Sequence, residues 1–100
     1  MRHGRVDQNQ NEIIKTFRDL GCSVAITSDL GHGIPDLVVA LGLGAGQMFF
    51  VEVKDGKKFL SQRKLTLDER IFHDAWKGPI YIIETVDQAI DLVNKARCRG

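Results

Sequence analysis

Two carboxylates and a lysine lie at the ends of two strand-like segments of this sequence. Asp36 follows Gly33-Ile34-Pro35 and opens one apolar run, while Glu52 and Lys54 end a second run. Successive side chains of a strand point to opposite faces, so Glu52 and Lys54 share one face while Val53 points into the core. Two acids and an ammonium group in this arrangement are the smallest set of side chains that a metal-dependent phosphodiesterase needs.

Each of these residues has a role in that chemistry. Magnesium prefers oxygen ligands and keeps several waters, so Asp36, Glu52 and the backbone carbonyl of Val53 are sufficient to hold it. Lys54 could contact the scissile phosphate, or position the attacking water if a nearby metal lowers its pKa. The alternative is that Asp36 caps a strand and that Glu52 and Lys54 are solvated on an edge strand. The apolar strands around them favour the metal site, because charges in such surroundings need partners.

The spacing of apolar residues predicts the order helix, three strands, helix, strand, helix. Helices are expected at about 8–20, from 67 to Gly78-Pro79, and from Thr85 to about Arg97. Strands are expected at 22–27, 37–41, 48–54 and 80–83. This order suits an α/β fold in which a mixed four-stranded sheet carries helices on its faces.

The second and third helices begin with similar patterns. Thr66 and Glu69 form a capping box, in which each side chain bonds the other residue's amide, and Thr85 and Gln88 repeat the spacing. The second helix is expected to turn one apolar stripe to the core, made of Leu67, Ile71, Phe72, Ala75 and Trp76. His73 falls outside this stripe and receives no role.

Length and composition limit the class of protein. A chain of 100 residues with 43% hydrophobic residues is expected to form a single domain, 1–100. No apolar run approaches the roughly 20 residues of a membrane span, and the first residues lack the apolar segment of a secretory signal. We therefore expect an intracellular, cytoplasmic protein without membrane contact. Cys22 and Cys98 lie far apart outside any CxxC motif, which predicts neither a disulfide framework nor a zinc site.

Positive charge is concentrated directly after the second acid. The basic residues of this segment are Lys57, Lys58, Arg63 and Lys64. Lysine and arginine contacts to phosphates supply most of the sequence-independent affinity for DNA. These four residues are therefore predicted to bind DNA beside the cleavage site, although a basic loop that is only solvated is the general alternative.

Several short motifs in order resemble those of a known nuclease family. They are Gly33-Ile34-Pro35-Asp36, Glu52-Val53-Lys54, the helix start Leu65-Thr66, and Trp76-Lys77-Gly78-Pro79. Together they resemble the virus-type replication-repair nuclease (VRR-NUC) family of the PD-(D/E)XK superfamily, over about Asn11 to Val93. The resemblance implies a Mg²⁺- or Mn²⁺-dependent DNA endonuclease with the element order predicted above.

The resemblance also implies site residues and partners. It carries over Asp36 and Glu52 as metal ligands, Val53 as the carbonyl ligand, Lys54 as the catalytic lysine and Glu12 as a first-helix carboxylate that joins the metal site. It implies a homodimer that cuts branched DNA in the manner of Holliday-junction resolvases, and a phage origin fits such a protein. Members often carry a glutamine early in the second helix, where this sequence has Glu69 and Arg70.

Two other functions remain open from the sequence. One is a nucleic-acid-binding module that has the nuclease fold without turnover. The other is a structural or partner-binding protein, which would show no salt-dependent affinity for DNA.

Overall fold

The computed structural model describes residues 9–42, 46–56 and 64–99 of the chain. Within them lie three helices and four strands, in the predicted order. The helices are α1 (Gln10–Asp19), α2 (Leu67–Ala75) and α3 (Val86–Arg99), and the strands are β1 (Ser23–Ile26), β2 (Leu37–Ala40), β3 (Met48–Val53) and β4 (Ile80–Ile83). The predicted α/β class is confirmed, and the ends of the elements differ from the prediction by a few residues.

The four strands form one mixed sheet in the order β1-β2-β3-β4. The pairs β1/β2 and β2/β3 are antiparallel, whereas β3/β4 is parallel. Antiparallel neighbours can be joined by short turns, but a parallel pair needs a crossover connection. The segment that contains α2 is this crossover, which places α2 next to the end of β3.

The hydrophobic core lies between one face of the sheet and the pair α1 and α3. Residues of α1 at positions 13, 14 and 17 recur at helical spacing and meet alternate residues of the strands. The buried set is Ile13, Ile14, Phe17, Cys22, Leu37, Val39, Leu41, Phe49, Val51, Val53, Ile83, Ala89, Val93 and Ala96. No helix within the described ranges has the length and apolar character needed to cross a bilayer.

The opposite face of the sheet carries Phe50, Glu52 and Lys54, and α2 is the helix that lies against it within the described residues. The predicted orientation of α2 is wrong in part, because no residue of α2 is buried and Leu67 and Ile71 are 72% and 57% exposed. Two members of the predicted stripe, Phe72 and Trp76, do contact Phe50 of the sheet. Polar residues of α2 face the sheet beside them, and their contacts, described below, outweigh burial of Leu67 and Ile71.

One of the two predicted capping boxes is complete. The Thr66 hydroxyl accepts from the Glu69 amide at 3.2 Å and Glu69 Oε1 accepts from the Thr66 amide at 2.9 Å. At α3 the first arm forms, since the Gln88 amide donates to Thr85 Oγ1 at 3.1 Å. The second arm differs from the prediction, because Gln88 Oε1 accepts from the amide of Glu84 and not from that of Thr85.

Candidate active site

Asp36 is held at the entrance of β2 by backbone contacts to both neighbouring strands. Its carbonyl accepts from the amide of Thr27 at 2.7 Å, and the Thr27 hydroxyl donates to the carbonyl of Pro35 at 2.6 Å. On the other side, Asp36 Oδ2 accepts from the backbone N–H of Val53 at 2.8 Å. The carboxyl group thus takes the place of a backbone acceptor where the β2/β3 ladder ends.

Glu52 lies directly beside Asp36. Leu37 pairs with Val51 across the β2/β3 ladder, and one further step of this antiparallel register sets Asp36 opposite Glu52 on the same face. The two carboxyl groups are therefore neighbours across the ladder. Glu52 is only 2% exposed, and its Oε1 has no hydrogen-bond partner. The structure therefore brings these two predicted acids together.

The surroundings of this acid pair disfavour two negative charges. Burial, followed by the nearby charges of Asp36 and Glu69, raises the pKa of Glu52 from its ordinary 4.5 to about 10. Burial also raises the pKa of Asp36, against the opposing effect of the hydrogen bond from Val53. Like charges held close together cannot both ionise without a compensating positive charge. A divalent cation beside the pair would supply such a charge.

Lys54 completes the predicted group of three charged residues and has an additional partner. Its Nζ lies 2.9 Å from Glu69 Oε1 and 3.8 Å from Glu52 Oε2. Burial lowers the pKa of Lys54, but the hydrogen bond and charge of Glu69 and the charges of the acid pair outweigh it, so the pKa is raised. Lys54 is therefore an ammonium group at neutral pH.

Glu69 and His73 are site residues that the sequence analysis did not identify. Burial raises the pKa of Glu69, but hydrogen bonds from Lys54 and the Thr66 amide outweigh it and the pKa is lowered. His73 Nε2 lies 3.6 Å from Glu52 Oε1, and both atoms are buried without a hydrogen-bond partner. Burial lowers the pKa of His73, which keeps the ring neutral near pH 7. The four-residue spacing of Glu69 and His73, which puts them on one side of a helix, was the available signal.

The residues at this position fit a hard divalent cation. Glu52 is buried and Asp36 is half-buried, both carboxyl groups have raised pKa values, and Glu52 keeps one oxygen without a donor. The amide of Val53 donates to Asp36. The N–H and C=O of one residue in a strand point to the same side, so the carbonyl of Val53 also faces β2 and Asp36. In the described ranges no group of three or more His, Cys, Asp or Glu side chains is arranged to hold a metal ion. Magnesium does not require one, since it binds through one or two carboxylates, waters and substrate phosphates.

The other predicted site residues do not join this group. Glu12 is exposed, and at 100° per residue it lies nearly opposite the buried face of α1 formed by positions 10, 13, 14 and 17. Lys57, Lys58 and Arg63 lie outside the described residues. Lys64 is exposed shortly before α2.

Gly33 fixes the distance between the loop before Asp36 and the start of α2. It has a φ of +77°, which glycine adopts readily. A Cβ atom at this position would lie 2.1 Å from the carbonyl oxygen of Asp68 and 2.9 Å from the amide nitrogen of Glu69. The backbones of the two segments therefore meet in direct contact, and this contact sets Glu69 opposite β3.

The acid pair makes the stability of the cation-free protein depend on pH. A group whose pKa is higher in the folded state contributes stability that is lost as the pH rises from its unfolded to its folded value. For Glu52 this window runs from 4.5 to about 10. In chelator we expect the free energy of unfolding to fall between pH 7 and 9, by up to about 1.4 kcal/mol per pH unit. Added Mg²⁺ or Mn²⁺ should oppose the fall, because a cation that binds the folded state stabilises it.

Thermal melts at several pH values, with chelator and with each metal, measure this dependence. Glu52→Gln is the control, since its melting temperature should vary less with pH and with metal. Equal pH and metal dependence in both proteins would contradict the role assigned to the acid pair.

Comparisons with known proteins give one informative match. No protein-family model and no curated protein matches the sequence. A solved structure described as a VRR_NUC domain has a similar fold, with a TM-score of 0.64. The two sequences are 27% identical, and the match covers 85% of this chain and 89% of that chain. The likeness thus extends over most of both chains.

Proposed function

We propose that the chain belongs to the VRR-NUC family and is a metal-dependent nuclease, which its likeness in fold and its 27% identity to a VRR_NUC domain support. The single observation that supports the metal dependence is the position of Asp36 opposite the buried Glu52 across the β2/β3 ladder. Two carboxyl groups with raised pKa values, placed beside an ammonium group, form a site that a divalent cation would stabilise.

Each residue has a defined task in the proposed reaction. Asp36, Glu52 and the Val53 carbonyl hold the cation, which when bound supplies Lewis-acid stabilisation of phosphate charge and activates water. Lys54 contacts the scissile phosphate, because its ammonium group is held next to the acid pair. Glu12 is left out of the proposed metal site, since its side chain is exposed away from the buried face of α1.

The proposed substrate is DNA, in particular branched DNA, and the proposed cofactor is Mg²⁺ or Mn²⁺. Symmetric cleavage of two strands requires two sites related by a two-fold axis, and a chain of this size offers one site. We therefore propose a homodimer as the active form. Phosphate contacts from Lys57, Lys58, Arg63 and Lys64 would hold the DNA beside Lys54.

Lys64→Ala tests the proposed DNA contacts. Loss of one phosphate contact should reduce the slope of log affinity against log salt by about 0.9, while the cleavage rate with saturating DNA is retained. Lys15→Ala is a matched control, because Lys15 is exposed on α1 and paired with Asp19 at 2.6 Å. A binding titration over several salt concentrations measures the slope, and an identical slope for Lys64→Ala and the wild type would contradict this contact.

The decisive experiment compares purified protein on labelled four-way junction, flap and linear duplex of matched sequence, with Mg²⁺, Mn²⁺ or chelator. We expect cleavage with metal, none with chelator, and faster cleavage of the junction than of the duplex. Glu52→Gln protein prepared in the same way detects a contaminating nuclease. Salt-dependent DNA binding without cleavage under any metal would instead indicate a binding module with the nuclease fold.

A further inference from the structure

Alternate residues of β3 meet successive turns of α2 along the face that carries the candidate site. The Phe50 ring lies 5.6 Å from that of Phe72 and 5.0 Å from that of Trp76. The next residue on this face, Glu52, is approached by His73 at 3.6 Å. Lys54, two residues further along, lies 2.9 Å from Glu69. Later residues of this strand therefore contact earlier residues of α2.

The repeat distances of a helix and a strand explain this match. Two residues of a strand advance by about 6.6 Å, and four residues of a helix advance by about 6 Å. The pair Glu69 and His73 therefore has nearly the same spacing as the pair Lys54 and Glu52. Because α2 runs antiparallel to β3, Glu69 lies against Lys54 and His73 lies against Glu52.

The carboxylate of Glu69 is held by two hydrogen bonds. Its Oε1 accepts from the Thr66 amide at 2.9 Å and from Lys54 Nζ at 2.9 Å. The first bond ties the carboxylate to the start of α2, and the second ties the lysine to the carboxylate. Lys54 has a long flexible side chain, and this contact removes alternative orientations that its partial enclosure would still allow.

We propose that Glu69 is a positioning residue, which holds the Lys54 ammonium group over the acid pair so that it meets the scissile phosphate. The inference rests on the proposed nuclease function. It gives α2 a task beyond covering the sheet, and it predicts that the acceptor oxygen at position 69 matters more than the negative charge.

Three variants separate this role from a structural one. Glu69→Ala should lower the cleavage rate at saturating DNA by about 10- to 100-fold with little change in DNA affinity, because a displaced group loses most of its effect. Glu69→Gln should stay within about threefold of the wild type, since its amide oxygen can accept both hydrogen bonds. Thr66→Ala weakens the helix cap but keeps the Thr66 amide and Glu69, so it controls for loss of helix stability.

A measurement without DNA makes the result independent of nuclease activity. Nuclear magnetic resonance of labelled lysine side chains should show Lys54 ordered in the wild type and in Glu69→Gln, and mobile in Glu69→Ala. An ordered Lys54 in Glu69→Ala, or an equal loss of rate in the Gln and Ala variants, would overturn the proposal. A wild type that cuts no DNA, with Lys54 mobile only in Glu69→Ala, would refute the proposed function and leave the contact established.

Discussion

Replacement of Glu52 by glutamine is expected to lower the rate of metal-dependent DNA cleavage by about 10³-fold or more, equivalent to ~4 kcal/mol of transition-state stabilisation. Glu52 is the most buried of the charged residues at the site, and the nearby charges of Asp36 and Glu69 act on its carboxyl group. The amide has nearly the same shape but cannot balance the charge of a cation. The proposed metal site would thus lose one of its two carboxylate ligands.

The same substitution should leave the protein folded. A buried carboxyl group whose pKa is raised to about 10 destabilises the folded state at neutral pH, and glutamine removes this effect. We therefore expect Glu52→Gln to melt at a higher temperature than the wild type in chelator at pH 8. A loss of activity together with a raised melting temperature would separate a catalytic role from a structural one.

Glu12→Gln is the matched control for this experiment. It makes the same chemical change on an exposed position of α1, away from the buried face of that helix. Cleavage by this variant should stay within about twofold of the wild type, as is usual for a surface substitution remote from the site. Full activity in Glu52→Gln, or an equally large loss in Glu12→Gln, would contradict the proposed metal site.

Asp36 should respond differently to asparagine and to alanine. Asparagine retains an oxygen that can accept from the Val53 amide, so Asp36→Asn should fold normally and lose cleavage by about 10²-fold or more. Alanine removes this acceptor and leaves a buried backbone N–H without a partner. Asp36→Ala should therefore also lose about 1–3 kcal/mol of stability.

Denaturant unfolding and single-turnover cleavage measure these two effects separately. Hydrogen exchange at the Val53 amide adds a local readout, which should be faster in Asp36→Ala than in Asp36→Asn. Equal stability of the two variants would show that the hydrogen bond from Val53 contributes little. Wild-type cleavage by Asp36→Asn would show that no second carboxylate is required.

The sequence predicted the element order and the acid pair because both depend on local regularities. Alternation along β3 fixes which side chains share a face, and the apolar run after Asp36 marks a strand that must lie within the sheet. Once these two strands pair, the register brings Asp36 to Glu52. Such properties follow from backbone geometry, so a single sequence is sufficient to infer them.

The orientation of α2 could not be predicted in the same way. Its sequence offers two overlapping faces, one with Leu67 and Ile71 and one with Glu69 and His73, and periodicity favours the more apolar one. The structure turns Glu69 and His73 to the sheet, together with Phe72 and Trp76 of the predicted stripe, because buried charges on the sheet must meet polar partners. That requirement arises from residues distant in the sequence, and it also explains why Glu69 was predicted only as a capping residue.

The backbone contact at Gly33 has a consequence for how the site keeps its dimensions. The loop that carries Asp36 and the turn that carries Glu69 touch through main-chain atoms, with no side chain between them. The gap between the two halves of the site therefore has a hard lower limit that does not depend on rotamers. Because Gly33 has no side chain, the two backbones can touch at this position. Any larger residue there would push α2 away from the loop and shift the position of α2 along β3.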